Sequence, residues 1–210
     1  RCLRVSWARR CVSETAIMGI LEGRSMEQKN ILNTKNYYTS YFIDEKARPT
    51  LVISPGGGYA YTSPRESAPV AKVFNDYGYH VVVVNYRETV EEAYPKPAQY
   101  LANVILGLRQ DARVSKIIGL GFSAGGHNIL EVSLHSKSYG EKAKPDLLML
   151  GYPVITTDER YWHRGSFMNL LKDDFDNLEL RQYLSLETQV NEEAPDLFLS
   201  LIHISEPTRP

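Results

Sequence analysis

Val81, Val82, Val83 and Val84 stand in an unbroken row, with His80 before them and Asn85-Tyr86 after. Successive side chains on a strand point to opposite faces, so such a run needs apolar cover above and below. A sheet packed on one side only leaves half of these valines in water. The run therefore predicts a strand inside a mostly parallel sheet with helices on both faces. The rest of the chain agrees. Further strands are predicted over 37–43, 50–54, 116–122, 146–155 and 196–202, separated by turn residues or by segments of helical period. Pro64 suits a helix start, with Ala68, Ala71, Val73 and Phe74 facing a core and Gly78 as its stop. Leu101, Val104, Ile105 and Leu108 recur at helical spacing within 97–113, and a third helix is predicted over 124–135. Strands alternating with helices form right-handed βαβ units, and ligands of such sheets bind at the carboxyl ends of the strands. Two glycine-rich loops follow strands here, one after Ser54 and one after Leu120.

Composition narrows the function. The chain has 210 residues, with 24 basic and 25 acidic side chains and a net charge of −1. That suits one domain, and near-neutral charge gives no electrostatic reason to expect nucleic acid or an anionic membrane as partner. No apolar run has the length of a membrane span. Both cysteines, Cys2 and Cys11, precede Met18, which excludes a thiol nucleophile or a disulfide from the main body. Asp173, Asp174 and Asp176 read as a solvated face and not as a metal site. No metal or organic cofactor is expected.

Gly121-Phe122-Ser123-Ala124-Gly125 is a Gly-x-Ser-x-Gly motif lying between a predicted buried strand and a predicted helix. That context makes a weak pattern specific. A serine on such a turn projects its hydroxyl beyond the sheet, and the helix behind it directs free N–H groups at charge developing there. The alternative is a glycine-rich turn with an incidental serine. Upstream, Pro55-Gly56-Gly57-Gly58-Tyr59 offers a second set of exposed donors. Acyl transfer needs one donor after the nucleophile and one from an upstream loop, roles filled by Ala124 and by Gly57 or Gly58. A phosphate-binding loop is the competing reading, but neither loop carries the Gly-Lys-Ser/Thr ending or the Gly-x-Gly-x-x-Gly spacing.

These blocks, together with Arg65-Glu66, Val84-Asn85-Tyr86-Arg87, Gly126-His127 and Gly151-Tyr152-Pro153-Val154-Ile155, resemble the α/β-hydrolase superfamily. Within it the chain is similar to the small carbohydrate-esterase group that includes acetylxylan esterases, over residues 37–198. His163-Arg164-Gly165-Ser166 in a cap-like segment over 156–193 is also similar to that group. The resemblance implies a serine hydrolase acting on carboxylic esters, with acetylated carbohydrate as substrate and an acyl-enzyme on Ser123. Alternatives are a peptidase of the same superfamily and a non-catalytic protein on the same fold. Tyr59, Tyr61 and the cap are candidates for shaping specificity, although tyrosines also serve as ordinary core and surface material.

The superfamily triad runs serine, acid, histidine, with the acid after a late strand. Here His203 precedes Glu206, the reverse order. The matching acid and histidine are expected to be absent, and the fold C-terminally incomplete. His127 is expected to be structural, one turn past the serine. His80 and His135 are expected to lie away from the site, and His163 in the cap lacks an orienting carboxylate. Residues 199–210 resemble the translation of a sequencing adapter, so the hydrolase domain is expected over 26–199 with a non-native tail over 200–210. Residues 1–25 read as a non-native or disordered extension, with Met18 or Met26 as the start. A basic transit peptide is the alternative. Without a recognisable signal peptide the expected compartment is the cytoplasm.

Overall fold

The computed structural model describes residues 26–31, 36–87 and 92–201. The expectations for residues 1–25, and for His203 and Glu206, lie outside the described residues. Seven strands form one sheet in the order β1-β2-β4-β3-β5-β6-β7. They are β1 Met26–Ile31, β2 Tyr37–Phe42, β3 Arg48–Ser54, β4 His80–Asn85, β5 Val114–Phe122, β6 Leu147–Gly151 and β7 Asp196–Ser200. The pairs β1/β2 and β2/β4 are antiparallel, and all remaining neighbours are parallel.

The valine run explains the layers. Val82 and Val84 pack into one apolar cluster with Leu101, Ile105 and Ile129, on the face covered by α2 (Lys96–Leu108) and α3 (Ala124–Leu134). Val81 and Val83 enter a second cluster with Leu51, Ile53 and Ala71 on the opposite face, under α1 (Ala68–Asp76). All four valines are at most 1% exposed, as the two-sided cover requires.

Several boundaries differ from the sequence expectation. The helix over 97–113 stops at Leu108, and residues beyond it turn back so that Arg113 can receive the Arg48 N–H at 2.8 Å. The strand over 146–155 ends at Gly151 because Tyr152 adopts φ 39° and Pro153 has no N–H for a ladder. On α1, Val73 is 51% exposed and Ala68 faces solvent, while Val70, Ala71 and Phe74 make the inward face. β1 was not expected: Met-Glu-Gln-Lys-Asn-Ile has no apolar alternation, and its described side chains stay largely outside the core.

Between β6 and β7 the chain forms α5 (Arg164–Leu171) and α6 (Leu178–Tyr183), after the short α4 (Ser136–Tyr139) that follows α3. Phe167, Leu170 and Leu171 bury this segment against the α2/α3 face. His127 pins it there. Its Nε2 lies 3.0 Å from the Leu184 carbonyl and its Nδ1 2.8 Å from the Tyr59 hydroxyl. A carbonyl only accepts, so Nε2 carries the proton and Nδ1 receives the Tyr59 O–H. The ring is neutral, fully satisfied and 1% exposed.

Leu101→Ala is expected to cost about 2–5 kcal/mol in urea denaturation, whereas Val73→Ala stays within about 0.5 kcal/mol. Burial, the largest cause, holds the His127 imidazole below its ordinary value, and His80 is lowered likewise. Above the unfolded pKa of about 6.5 both states are neutral and no stability is at stake. Below it the unfolded chain binds protons that the fold refuses. Stability should therefore fall from pH 7 to pH 5, by up to about 1.4 kcal/mol per pH unit for each such ring. His127→Asn should flatten that slope while leaving the part due to His80.

Candidate active site

The backbone conformation of Ser123 is the starting point. It has φ 49° and ψ −121°, a left-handed geometry that side chains other than glycine rarely adopt. The turn is held in place from three sides. The Ser123 N–H donates to the Gly151 carbonyl at 3.1 Å, and its own carbonyl accepts from Val154 at 3.1 Å and His127 at 3.2 Å. The end of β6 therefore fastens the residue between β5 and α3. Ser123 stays partly accessible.

Gly125 brings the second loop to it. A Cβ at this position would sit 2.0 Å from the Ser54 carbonyl oxygen and 2.3 Å from that of Pro55. The first turn of α3 thus rests directly on the backbone where β3 leaves the sheet. From there the 55–59 loop passes the serine: a Cβ on Gly56 would lie 3.0 Å from Ser123 Cβ. The two glycine-rich loops are in contact.

The carbonyls of the three loop glycines are all occupied. Gly56 accepts from the Ser63 N–H at 2.8 Å, Gly57 from Ala60 at 3.0 Å, and Gly58 from Asn169 Nδ2 at 2.9 Å. In a trans peptide the N–H points opposite to the carbonyl of the preceding residue. Fixing the Gly56 and Gly57 carbonyls therefore fixes the Gly57 and Gly58 N–H directions. Neither N–H finds a backbone acceptor among the described residues. Ala124 opens α3, where the N–H has no partner within the helix. Ser123, Ala124, Gly57 and Gly58, the residues singled out from sequence, lie at one edge of the sheet.

A cavity of about 500 Å³ lies beside the serine, lined by 152–156 and by Tyr161, His163 and Leu201. Val154, one of its lining residues, donates its N–H to the Ser123 carbonyl at 3.1 Å. Tyr61 is 57% exposed, whereas Tyr59 is 1% exposed and packs with Tyr86 and His127. Tyr59 is thus core, and of the two tyrosines only Tyr61 is placed to meet a ligand.

The four histidines of the described residues are committed elsewhere. His80 Nδ1 accepts from the Ile43 N–H at 3.1 Å, and His135 stacks on Tyr183 with ring centroids 4.2 Å apart. His163 caps α5, its Nδ1 2.8 Å from Ser166 Oγ, and His127 is held as described. None bonds to the Ser123 hydroxyl. Among the described residues no group of three or more His, Cys, Asp or Glu could hold a metal ion, and Asp173, Asp174 and Asp176 face solvent. No helix among them is long and apolar enough to cross a membrane. Glu66, Tyr152 and Asn169 also reach the two loops, and sequence reasoning gave them no role. The signal was that Glu66 and Tyr152 both fall in blocks that carry the family resemblance, whereas Asn169 had none.

A model of the alpha/beta hydrolase fold matches residues 51–201. Endo-1,4-beta-xylanase B of Butyrivibrio fibrisolvens is 30% identical over 193 residues, covering 80% of this chain and 30% of that protein. Acetylxylan esterase of Xylanibacter ruminicola is 34% identical over 137 residues, covering 62% of this chain and 28% of that protein. The chain therefore spans less than a third of the length of either relative. The crystal structure of an acetyl ester-xyloside bifunctional hydrolase from Caldicellulosiruptor lactoaceticus superposes with a TM-score of 0.72 at 28% identity, covering 84% of this chain and 74% of that one. A parallel sheet of this order, a serine on a left-handed strand-to-helix turn and a family match spanning both loops lead to one conclusion: the chain belongs to the α/β-hydrolase fold family.

Proposed function

We propose that this chain hydrolyses carboxylic esters, with acetyl esters of carbohydrates as the substrate class, through an acyl-enzyme on Ser123. The observation that carries the reading is the contact between the strained Ser123 turn and the 55–59 loop, whose Gly57 and Gly58 N–H groups find no backbone acceptor among the described residues. Ser123 Oγ attacks the ester carbonyl and gives up its proton. The oxyanion is met by the N–H of Ala124 and that of Gly57 or Gly58, and the alcohol leaves with a proton. Water then releases the acid and restores the serine. The acetyl-carbohydrate class rests on two relatives, named as an acetylxylan esterase and as an acetyl ester-xyloside hydrolase. The cavity lined by Tyr161 and His163 is the place for the alcohol portion.

A serine hydroxyl is a weak nucleophile until a base takes its proton. Since the histidines of the described residues all have structural partners, a second reading stands beside the first: a hydrolase-fold protein that binds esters without turning them over. One experiment separates them. The chain and Ser123→Ala are incubated with 4-nitrophenyl acetate, and both release of 4-nitrophenol and the site of acetylation are followed by peptide mass mapping. The expected outcome is slow, near-stoichiometric acetylation of Ser123 with turnover several orders of magnitude below that of an intact triad. Fast Ser123-dependent turnover means that a base is present, and His203→Ala then asks whether it is His203. Equal acetylation of lysines alone in both proteins overturns the nucleophile assignment.

A further inference from the structure

Glu66 stands at the end of the short 3-10 turn Pro64–Glu66, ten residues past Gly56, and its carboxylate reaches back between the two loops. Oε2 accepts the Gly56 N–H at 2.6 Å. Oε1 accepts a short hydrogen bond from the Tyr152 hydroxyl. Tyr152 follows β6 and is itself held in a left-handed conformation, with its N–H on the Ser200 carbonyl at 2.6 Å. Its phenol is pushed above its ordinary value by burial first and by Glu66 second, so it stays protonated and donates. A Cβ on Gly56 would lie 2.9 Å from Glu66 Oε2 and 3.0 Å from Ser123 Cβ. Carboxylate, donor loop and nucleophile therefore converge on one glycine.

The geometry points to Glu66 as a positioning residue for the oxyanion donors, an inference that rests on the esterase reading above. Two side chains clamp the loop at its ends: Glu66 on the Gly56 N–H and Asn169 on the Gly58 carbonyl at 2.9 Å. Between them lie the peptide planes that carry the Gly57 and Gly58 N–H groups. A charged acceptor makes a shorter, stronger bond than a neutral one, roughly by a factor of two. That strength has an electrostatic cost, because a carboxylate close to a developing oxyanion opposes it. Both oxygens of Glu66 are occupied by donors, which draws its charge toward Gly56 and Tyr152 and away from the reacting centre. The tyrosine also ties the clamp to the end of β6, the same segment whose Gly151 and Val154 hold the Ser123 turn. Nucleophile and donors are thus fixed to one reference point.

The test uses three variants of the whole chain, Glu66→Ala, Glu66→Gln and Tyr152→Phe, each first shown to unfold cooperatively. Two readouts are followed: the rate of Ser123 acetylation by 4-nitrophenyl acetate, and the amide proton signals of residues 56–58. Glu66→Ala should move the Gly56 signal upfield, shift those of Gly57 and Gly58, and slow acetylation by about 10- to 100-fold, short of the ~10²–10³ lost when a donor itself is removed. Glu66→Gln keeps an acceptor and should recover part of the rate; Tyr152→Phe should fall between Gln and Ala. The assignment is overturned if Glu66→Ala acetylates at the parent rate, or if Glu66→Gln is faster than the parent, which would make the carboxylate a hindrance. If Ser123 of the parent takes no acetyl group, the esterase reading fails. The amide signals then decide alone, and unmoved Gly57 and Gly58 signals in Glu66→Ala overturn the positioning role.

Discussion

Everything at the site depends on how closely helix α3 approaches the end of β3. The absent side chain of Gly125 leaves room for the carbonyls of Ser54 and Pro55, which a methyl group would meet at 2.0 and 2.3 Å. These are backbone atoms of a fully buried strand end and have nowhere to retreat. β3 and β5 are parallel neighbours in a register that pairs Ser54 with Gly121, so both loops leave the sheet at the same level. The glycine converts that shared level into contact. A larger residue there would push helix and strand apart, separating the 55–59 loop from the Ser123 turn.

Much of the fold could be read from the sequence because its strongest constraints are local. Val81 to Val84 demanded cover on both faces and receive it from two distinct clusters. The Gly-x-Ser-x-Gly motif was expected between a buried strand and a helix, and Ser123 stands at that junction with φ 49°. The misreadings share one cause, which is that pattern does not report position in the sheet. Val73 has the right spacing for a core residue, but α1 is rotated so that Val70 and Phe74 pack instead. β1 pairs with β2 through its ladder and through polar side chains, Asn30 Nδ2 on Ser40 Oγ at 3.3 Å and Lys29 over the Tyr37 ring, and contacts of that kind leave no apolar alternation to read. Tyr59 follows the glycines as if poised for a ligand, yet it turns inward to His127.

The clamp around the donor loop was illegible for a related reason. Tyr152 and Glu66 are 86 positions apart, and Asn169 and Gly58 are 111 apart. No local rule links a carboxylate after one strand to a phenol after another. Sequence singled out the proposed reacting groups, Ser123 and the glycine N–H donors. The groups that hold them in place emerge only when the sheet brings distant strand ends together, because positioning is a property of the assembled edge.

A base for Ser123 needs a free lone pair on a ring nitrogen. The Nδ1 pair of His127 receives the Tyr59 hydroxyl while its Nε2–H serves the Leu184 carbonyl, so the nearest histidine in sequence is closed on both sides. His163 uses Nδ1 to cap its helix, and His80 uses Nδ1 for the Ile43 N–H. The direction of β7 bears on where an acceptor would enter. β7 runs parallel to β6, and its last residue, Ser200, receives the Tyr152 N–H. Leu201 then lines the same cavity as His163. The chain thus leaves its last strand at the end of the sheet where Ser123 stands, the end from which a proton acceptor for that hydroxyl would have to act.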